Sequence, residues 1–197
     1  MPRISTMRPF YIILLIPFCA YSQVDFYQQL ADSAETLSSS HIVYDPSYFS
    51  IEYPNGDIPS DRGVCTDVVI RAYRKLGIDL QREVHEDMKQ NFSLYPQKWG
   101  LRKTDRNIDH RRVPNLMTFF ERNGQSLQIS AEPRDYQPGD IVCWNLGGAV
   151  THIGLVTNEL SSDGSRFQII HNIGRGQVIE DMLMEFKIIG HYRYAKE

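Results

Sequence analysis

One stretch constrains the chain most: Asp61-Arg62-Gly63-Val64-Cys65-Thr66-Asp67-Val68-Val69-Ile70-Arg71-Ala72-Tyr73-Arg74-Lys75-Leu76-Gly77. Val68, Val69, Ala72, Tyr73 and Leu76 recur at three- and four-residue spacing, which predicts a helix over Val64 to Leu76 with one apolar stripe. Asp61 and Gly63 stand where a start signal belongs, and Lys75-Leu76-Gly77 makes a stop. Cys65 then falls in the first turn. Unpaired N–H groups and the positive end of the helix dipole favour a thiolate there. Such surroundings lower a thiol from its usual pKa of about 8.5 and suit a nucleophile. They also suit a small buried residue, because free cysteine is among the most buried types. The stretch alone leaves both readings open.

The start of the chain bears on compartment. Arg3 and Arg8 precede the apolar run Phe10 to Phe18, and Ala20-Tyr21-Ser22 offers small residues at a cleavage site. Residues 1–22 therefore read as a secretory signal, with residues 23–197 as a single catalytic domain. The run is too short for a stable membrane span. Phe18 is too bulky for a usual lipobox, so a lipid anchor at Cys19 is not expected. The expected location is periplasmic or secreted. Cleavage leaves 175 residues (197 − 22), enough for one core. It removes two arginines and no acid, so the formal charge moves from −3 to −5. Nothing there suggests a nucleic-acid partner. A monomer without cofactor is expected. Two cysteines remain, Cys65 and Cys143, and in an oxidising compartment a disulfide between them is the structural alternative to a catalytic thiol.

Helix signals fill the first half of the mature chain. Phe26, Leu30 and Leu37 share a face between Val24 and Ser39, and Val84 and Met88 stand four apart within Gln81 to Asn91. A further helix runs from Pro114 to Asn123, with Leu116, Phe119 and Phe120 inward. From His41 to Ser60 the chain is an aromatic loop carrying Tyr44, Tyr48, Phe49 and Tyr53, placed to wall a cleft or to cover the core. Asn107-Ile108-Asp109-His110-Arg111-Arg112 is a compact polar cluster. Asp109, His110, Arg111 and Arg112 are candidate substrate-binding residues, since a guanidinium fork matches a carboxylate. A salt-bridge cluster is the rival reading. After Gly124 the pattern turns to strands: Leu127–Ala131, Ile141–Trp144, His152–Thr157, Phe167–Asn172 and Ile188–Tyr194. Helices first and a meander of strands after make an α+β arrangement.

A cysteine on a helix, a histidine opening a later strand and a polar residue on the next strand make up a papain-like order. The thiol attacks a carbonyl carbon, the imidazole moves its proton, and the third group fixes the imidazole. The candidates are Cys65, His152 and His171, with the Cys65 N–H in the oxyanion hole. Asn172 competes with His171, because neighbours on a strand face opposite ways. His41, His85 and His191 lack a partner motif and read as surface or packing residues.

Gly63-Val64-Cys65-Thr66-Asp67, Pro138-Gly139-Asp140-Ile141-Val142 and His152-Ile153-Gly154-Leu155-Val156 resemble the motifs of the NlpC/p60 superfamily of cell-wall cysteine peptidases. Val64-Cys65-Thr66-Asp67-Val68-Val69, Asn107 to Arg112, Pro138 to Val142 and His171-Asn172-Ile173-Gly174 are similar to a bacterial family of unknown function, number 1287, placed near that superfamily. The resemblance spans Ser38 to Tyr194. It implies a papain-like NlpC/p60-type α+β fold, with N-terminal helices packed on an antiparallel sheet. It also implies an exported cysteine amidase or endopeptidase acting on peptidoglycan stem peptides. The usual Asp-Cys-Ser-Gly around the nucleophile is here Val64-Cys65-Thr66-Asp67, and family 1287 has no settled activity. The rival function is a catalytically silent cell-wall-binding or structural domain. A zinc hydrolase using His110, His152 and His171 is a third reading. The chain has no HExxH and no close ligand pair to support it, so no metal is expected.

Overall fold

The apolar stripe of the cysteine stretch forms its helix, and the remaining elements cover that helix on every side. The computed structural model describes residues 18–39 and 41–196, with side chains from residue 26 onward. The expected leader, residues 1–22 with Cys19, falls almost wholly outside the described residues. Only the backbone of 18–22 is described, as the first turns of α1 (Phe18–Glu35). No helix among the described residues is long and apolar enough to cross a membrane.

A short parallel pair joins β1 (Val43–Tyr44) to β2 (Arg62–Gly63). Then come α2 (Cys65–Lys75), α3 (Leu80–Gln90) and α4 (Val113–Asn123), each close to its predicted span. Asp79 caps α3 by accepting from the Arg82 N–H, and Pro114 sits in the first turn of α4, where its missing N–H costs nothing. The sheet follows: β3 (Gln125–Ser126), β4 (Ile141–Gly147), β5 (Val150–Leu160), β6 (Phe167–Asn172), β7 (Gln177–Glu180) and β8 (Lys187–Arg193). Its spatial order is β3-β8-β4-β5-β6-β7, antiparallel throughout. The molecule is thus a mixed α/β domain of four described helices and an antiparallel sheet.

Alternation along the strands makes two cores. Ile141, Cys143, Ile153, Leu155 and Ile170 face the helices and pack with Val68, Val69, Ala72 and Tyr73 of α2. Val142, Trp144, Val156 and Ile169 face the other way, under Tyr136, Met182 and Leu183. α1 docks on the turn before β4, where Gly139 has φ +84° and an added Cβ would lie 2.3 Å from the Tyr27 carbonyl oxygen. Glycine is the residue that fits there.

One expectation needs correction. The strand predicted at 127–131 does not form. After Leu127 donates to the His191 carbonyl, the Ser130 backbone bonds instead to the Tyr136 hydroxyl, through both its N–H and its C=O. A side chain outcompetes a neighbouring strand. Conversely β7, β1 and β2 carry too few residues for their periodicity to be read.

The start of α2 is fixed by charge. Val64 occupies the N-cap and has no acceptor in its side chain, so Asp67 supplies the cap by accepting the Val64 N–H at 2.7 Å. The same carboxylate takes a two-pronged pair from Arg111, Nε to Oδ1 at 2.9 Å and Nη2 to Oδ2 at 3.0 Å. Both side chains are buried. Removing one partner of such a pair strands the other charge, at a cost of about 3–5 kcal/mol. Asp67→Ala is expected to lower Tm by on the order of 10 °C in a thermal melt. Replacing both partners, Asp67→Leu with Arg111→Met, is expected to recover part of that loss. A Tm within about 2 °C of the parent for Asp67→Ala would contradict this role.

Candidate active site

The helix start delivers Cys65 to the end of the sheet. The β5–β6 ladder pairs Leu155 with Ile170, and toward the His152 end the Ile153 N–H turns to the Cys65 sulfur instead. The N–H groups of Thr66 and of Cys65 itself also point at Sγ. This is the anion-favouring cradle that a helix N-terminus provides. Burial nevertheless outweighs it. Desolvation pushes the thiol up to about 12, with Asp67 adding to the rise. The expectation that the helix start alone lowers this thiol is corrected: three N–H groups do not replace the lost water. Cys65 and Cys143 are both free thiols.

The two histidines lie on the sheet face turned away from the helices, beside Trp144. His152 Nε2 is 3.0 Å from His171 Nδ1, with the rings perpendicular. The Trp144 ring stands 5.9 Å from the His152 ring and is itself held by a hydrogen bond from its Nε1 to the Leu183 carbonyl. Burial, with His171 adding to it, depresses His152 to about 3, and burial lowers His171 as well. Gly154 makes room for this pair. An added Cβ there would sit 2.9 Å from the Ile170 carbonyl oxygen and 3.2 Å from His171 Cβ. Asn172 points the other way and donates to the Gly63 carbonyl at 3.1 Å. Of the two rival third residues, His171 is the one that touches His152. Cys65 Sγ and the His152 ring form no hydrogen bond among the described residues. The resting arrangement is a neutral thiol on the helix side of β5 and a neutral imidazole pair on its other face.

A cavity of about 430 Å³ opens over Cys65, walled by Tyr44, Tyr48, Trp99, Arg111, Arg112 and Thr151. The aromatic loop is pinned there by buried polar groups. Gln81 accepts the Gly56 N–H and donates to the carbonyls of Glu52 and Arg106, while Arg71 and Arg74 both grip Asp57. The two arginines of the wall differ. Arg111 is occupied by Asp67 and by the Ser47 carbonyl. The Arg112 side chain makes no hydrogen bond among the described residues. Its guanidinium lies 4.2 Å from the Trp99 ring centroid and its Nη1 is 3.8 Å from Asp109 Oδ1. Trp99 holds φ at +62°, a strained value for a bulky residue. Asp109 and His110 lie behind the wall and do not line the cavity. Burial lifts Asp109 to about 6 and drops His110 to about 3. Among the described residues no group of three His, Cys, Asp or Glu side chains is arranged to hold a metal ion.

The family described as "Domain of unknown function (DUF1287)" matches residues 31–194. The chain belongs to that family. It is also 52% identical over 165 residues to a protein of Escherichia coli (strain K12) described as uncharacterized protein YijF, an alignment that covers 84% of this chain and 80% of that one. The DUF1287 match takes in every element from α2 to β8, and with them the whole cavity wall.

His191, read as a surface or packing residue without a partner motif, is buried and has one: Nε2 lies 2.7 Å from Asp140 Oδ2, Nδ1 lies 3.0 Å from the Gln128 carbonyl, and Tyr136 covers the ring. Asp140 also takes the Arg193 Nε, so the Pro138-Gly139-Asp140 turn is bolted to β8. Asp140 in that motif was the available signal.

The buried histidines set an acid limit. His110 and His152 are held neutral, with folded values near 3 against an ordinary 6.5. A folded pKa below the unfolded one adds stability above pH 6.5 that is lost as pH falls toward 3. Asp109, raised from 3.8 to about 6, works in the opposite sense over part of that range. Two histidines against one carboxylate give a net loss. Tm is expected to fall between pH 6.5 and 5, and His110→Asn is expected to flatten that slope. A Tm unchanged across this window would contradict the assignment.

Proposed function

We propose that this protein is an exported cysteine hydrolase that cleaves amide bonds in peptidoglycan stem peptides. The observation that carries the reading is the cradled thiol of Cys65 next to the strand whose His152 is held by His171 at 3.0 Å. With His152 Nε2 engaged by His171, Nδ1 is the ring atom left to receive a proton. A substrate carbonyl entering the cavity over Cys65 is attacked by sulfur while His152, turned toward the thiol from the other face of β5, takes its proton. The Cys65 N–H receives the oxyanion. The C–N bond then breaks and His152 returns the proton to the leaving amine. Water cleaves the thioester and restores the thiol. Because the resting thiol and imidazole are both neutral, proton transfer accompanies attack rather than preceding it.

The wall fits an acidic peptide. Arg112 keeps free donors beside Cys65, and a stem peptide carries carboxylates that match a guanidinium. Export is proposed from Arg3, Arg8, the apolar run to Phe18 and Ala20-Tyr21-Ser22. The papain-like description of the fold is proposed on the same footing, from the helix-borne cysteine followed by strand-borne histidines.

A second reading has its own support. The neutral Cys65, without an imidazole hydrogen bond, also suits a domain that binds cell wall and has lost the chemistry. Defined muropeptides with product mass spectrometry separate the two. Turnover is expected from the parent, with losses of several orders of magnitude in Cys65→Ala and His152→Ala, which act as a unit. Arg112→Gln is expected to raise KM about tenfold, the scale of one lost charged hydrogen bond, with kcat little changed. No turnover on any muropeptide, with the protein still sedimenting with cell-wall sacculi, would favour the silent domain. Full activity in His152→Ala would end the cysteine-hydrolase reading.

A further inference from the structure

His171 has two ring nitrogens, and only Nδ1 is spoken for. Its Nε2 is fully buried and has no hydrogen-bond partner. The nearest charge is Glu180 Oε2 at 3.9 Å, on β7. The β6–β7 ladder pairs His171 with Val178 and Ile169 with Glu180, so Glu180 and His171 project from the same face. Among the described residues the Glu180 side chain makes no other hydrogen bond or ion pair. A buried N–H without an acceptor costs about 1–3 kcal/mol. The separation exceeds a direct hydrogen bond, and the half-exposed Glu180 side chain has freedom to close it.

Two proton patterns satisfy the His152–His171 contact. In one, His152 Nε2–H donates to His171 Nδ1, which leaves His152 Nδ1 bare and puts a proton on His171 Nε2. In the other, His171 Nδ1–H donates to His152 Nε2, which puts the remaining proton on His152 Nδ1 and leaves His171 Nε2 a lone pair. The first pattern turns an N–H toward the Glu180 carboxylate and the second turns a lone pair toward it. Attraction replaces repulsion, so the carboxylate selects the first pattern. That pattern alone leaves His152 Nδ1 able to accept a proton.

We infer that Glu180 is a positioning residue: it holds the Nε2 proton of His171 and thereby sets the tautomer of both histidines, leaving His152 Nδ1 bare. Its importance for turnover rests on the hydrolase reading; the tautomer assignment does not. The histidines neither gain nor lose a proton in this arrangement. Glu180 acts through His171 and touches neither thiol nor substrate.

Nitrogen-15 NMR of histidine-labelled full chain at pH 7.5 reads the tautomers directly. The expected parent spectrum has His171 and His152 both protonated on Nε2. Glu180→Ala is expected to move His171 away from that tautomer and to slow iodoacetamide alkylation of Cys65 about tenfold, the scale of losing an outer partner of a histidine. Glu180→Gln keeps an oxygen acceptor and is expected to retain the parent tautomer, with alkylation close to the parent rate. A merely structural residue would not show that rescue, and a matched Tm for the three proteins keeps folding out of the comparison. A parent His171 protonated on Nδ1 would overturn the inference without any variant. So would Glu180→Ala with an unchanged spectrum and alkylation rate, even in an enzyme that turns over. Absence of turnover with the expected spectra would sink the hydrolase reading and leave this one standing.

Discussion

Asp67 holds the site together from less than a turn beyond the thiol. Its carboxylate caps the helix that presents Cys65, and it anchors Arg111, whose third donor reaches the Ser47 carbonyl and whose guanidinium lies against Phe49. Helix α2, the Asp109–Arg111 turn and the aromatic loop therefore meet on one buried charge pair. Each of these carries part of the cavity wall. Such a pair adds little over an apolar substitute of the same volume, but a half-pair is costly. The arrangement thus specifies geometry more than it adds stability.

The second constraint is dryness. Trp144 shields His152, burial keeps His152 and Cys65 neutral, and backbone N–H groups point at the sulfur. A site at rest in this state has little reactivity toward solvent oxidants, because the thiolate is the reactive form. The proposed chemistry then depends on a substrate that brings its own carbonyl and charge into the cavity. Arg112, cushioned on a strained Trp99, is the cation that meets such a charge.

Much of this was legible in the sequence, and the failures share a cause. Local periodicity located α2, α3, α4 and β4 to β6 to within a few residues, because each buries a full stripe or face. The spacing of cysteine and histidines picked out His152 and His171, which touch each other, and Cys65, which lies on the other face of β5. Long-range charge pairing was not legible. Arg111 reads as a ligand-binding fork until Asp67, 44 residues earlier, is seen in its grip. His191 reads as a surface or packing residue until Asp140 reaches it, and Glu180 sits on a four-residue strand with too short a pattern to register. The reactivity of Cys65 was misread for a related reason. Helix position is a sequence property, whereas desolvation depends on what the rest of the chain lays over the sulfur.

The central claim is that the Cys65 sulfur becomes bonded to substrate carbon. A rapid acid quench of enzyme mixed with excess muropeptide, followed by peptide mass mapping, tests it most directly. The account predicts an added mass equal to the acyl half of the substrate on the peptide carrying Cys65, absent in Cys65→Ala and in protein quenched before mixing. Amine product released at full rate with no adduct on Cys65, and equally by Cys65→Ala, would contradict it.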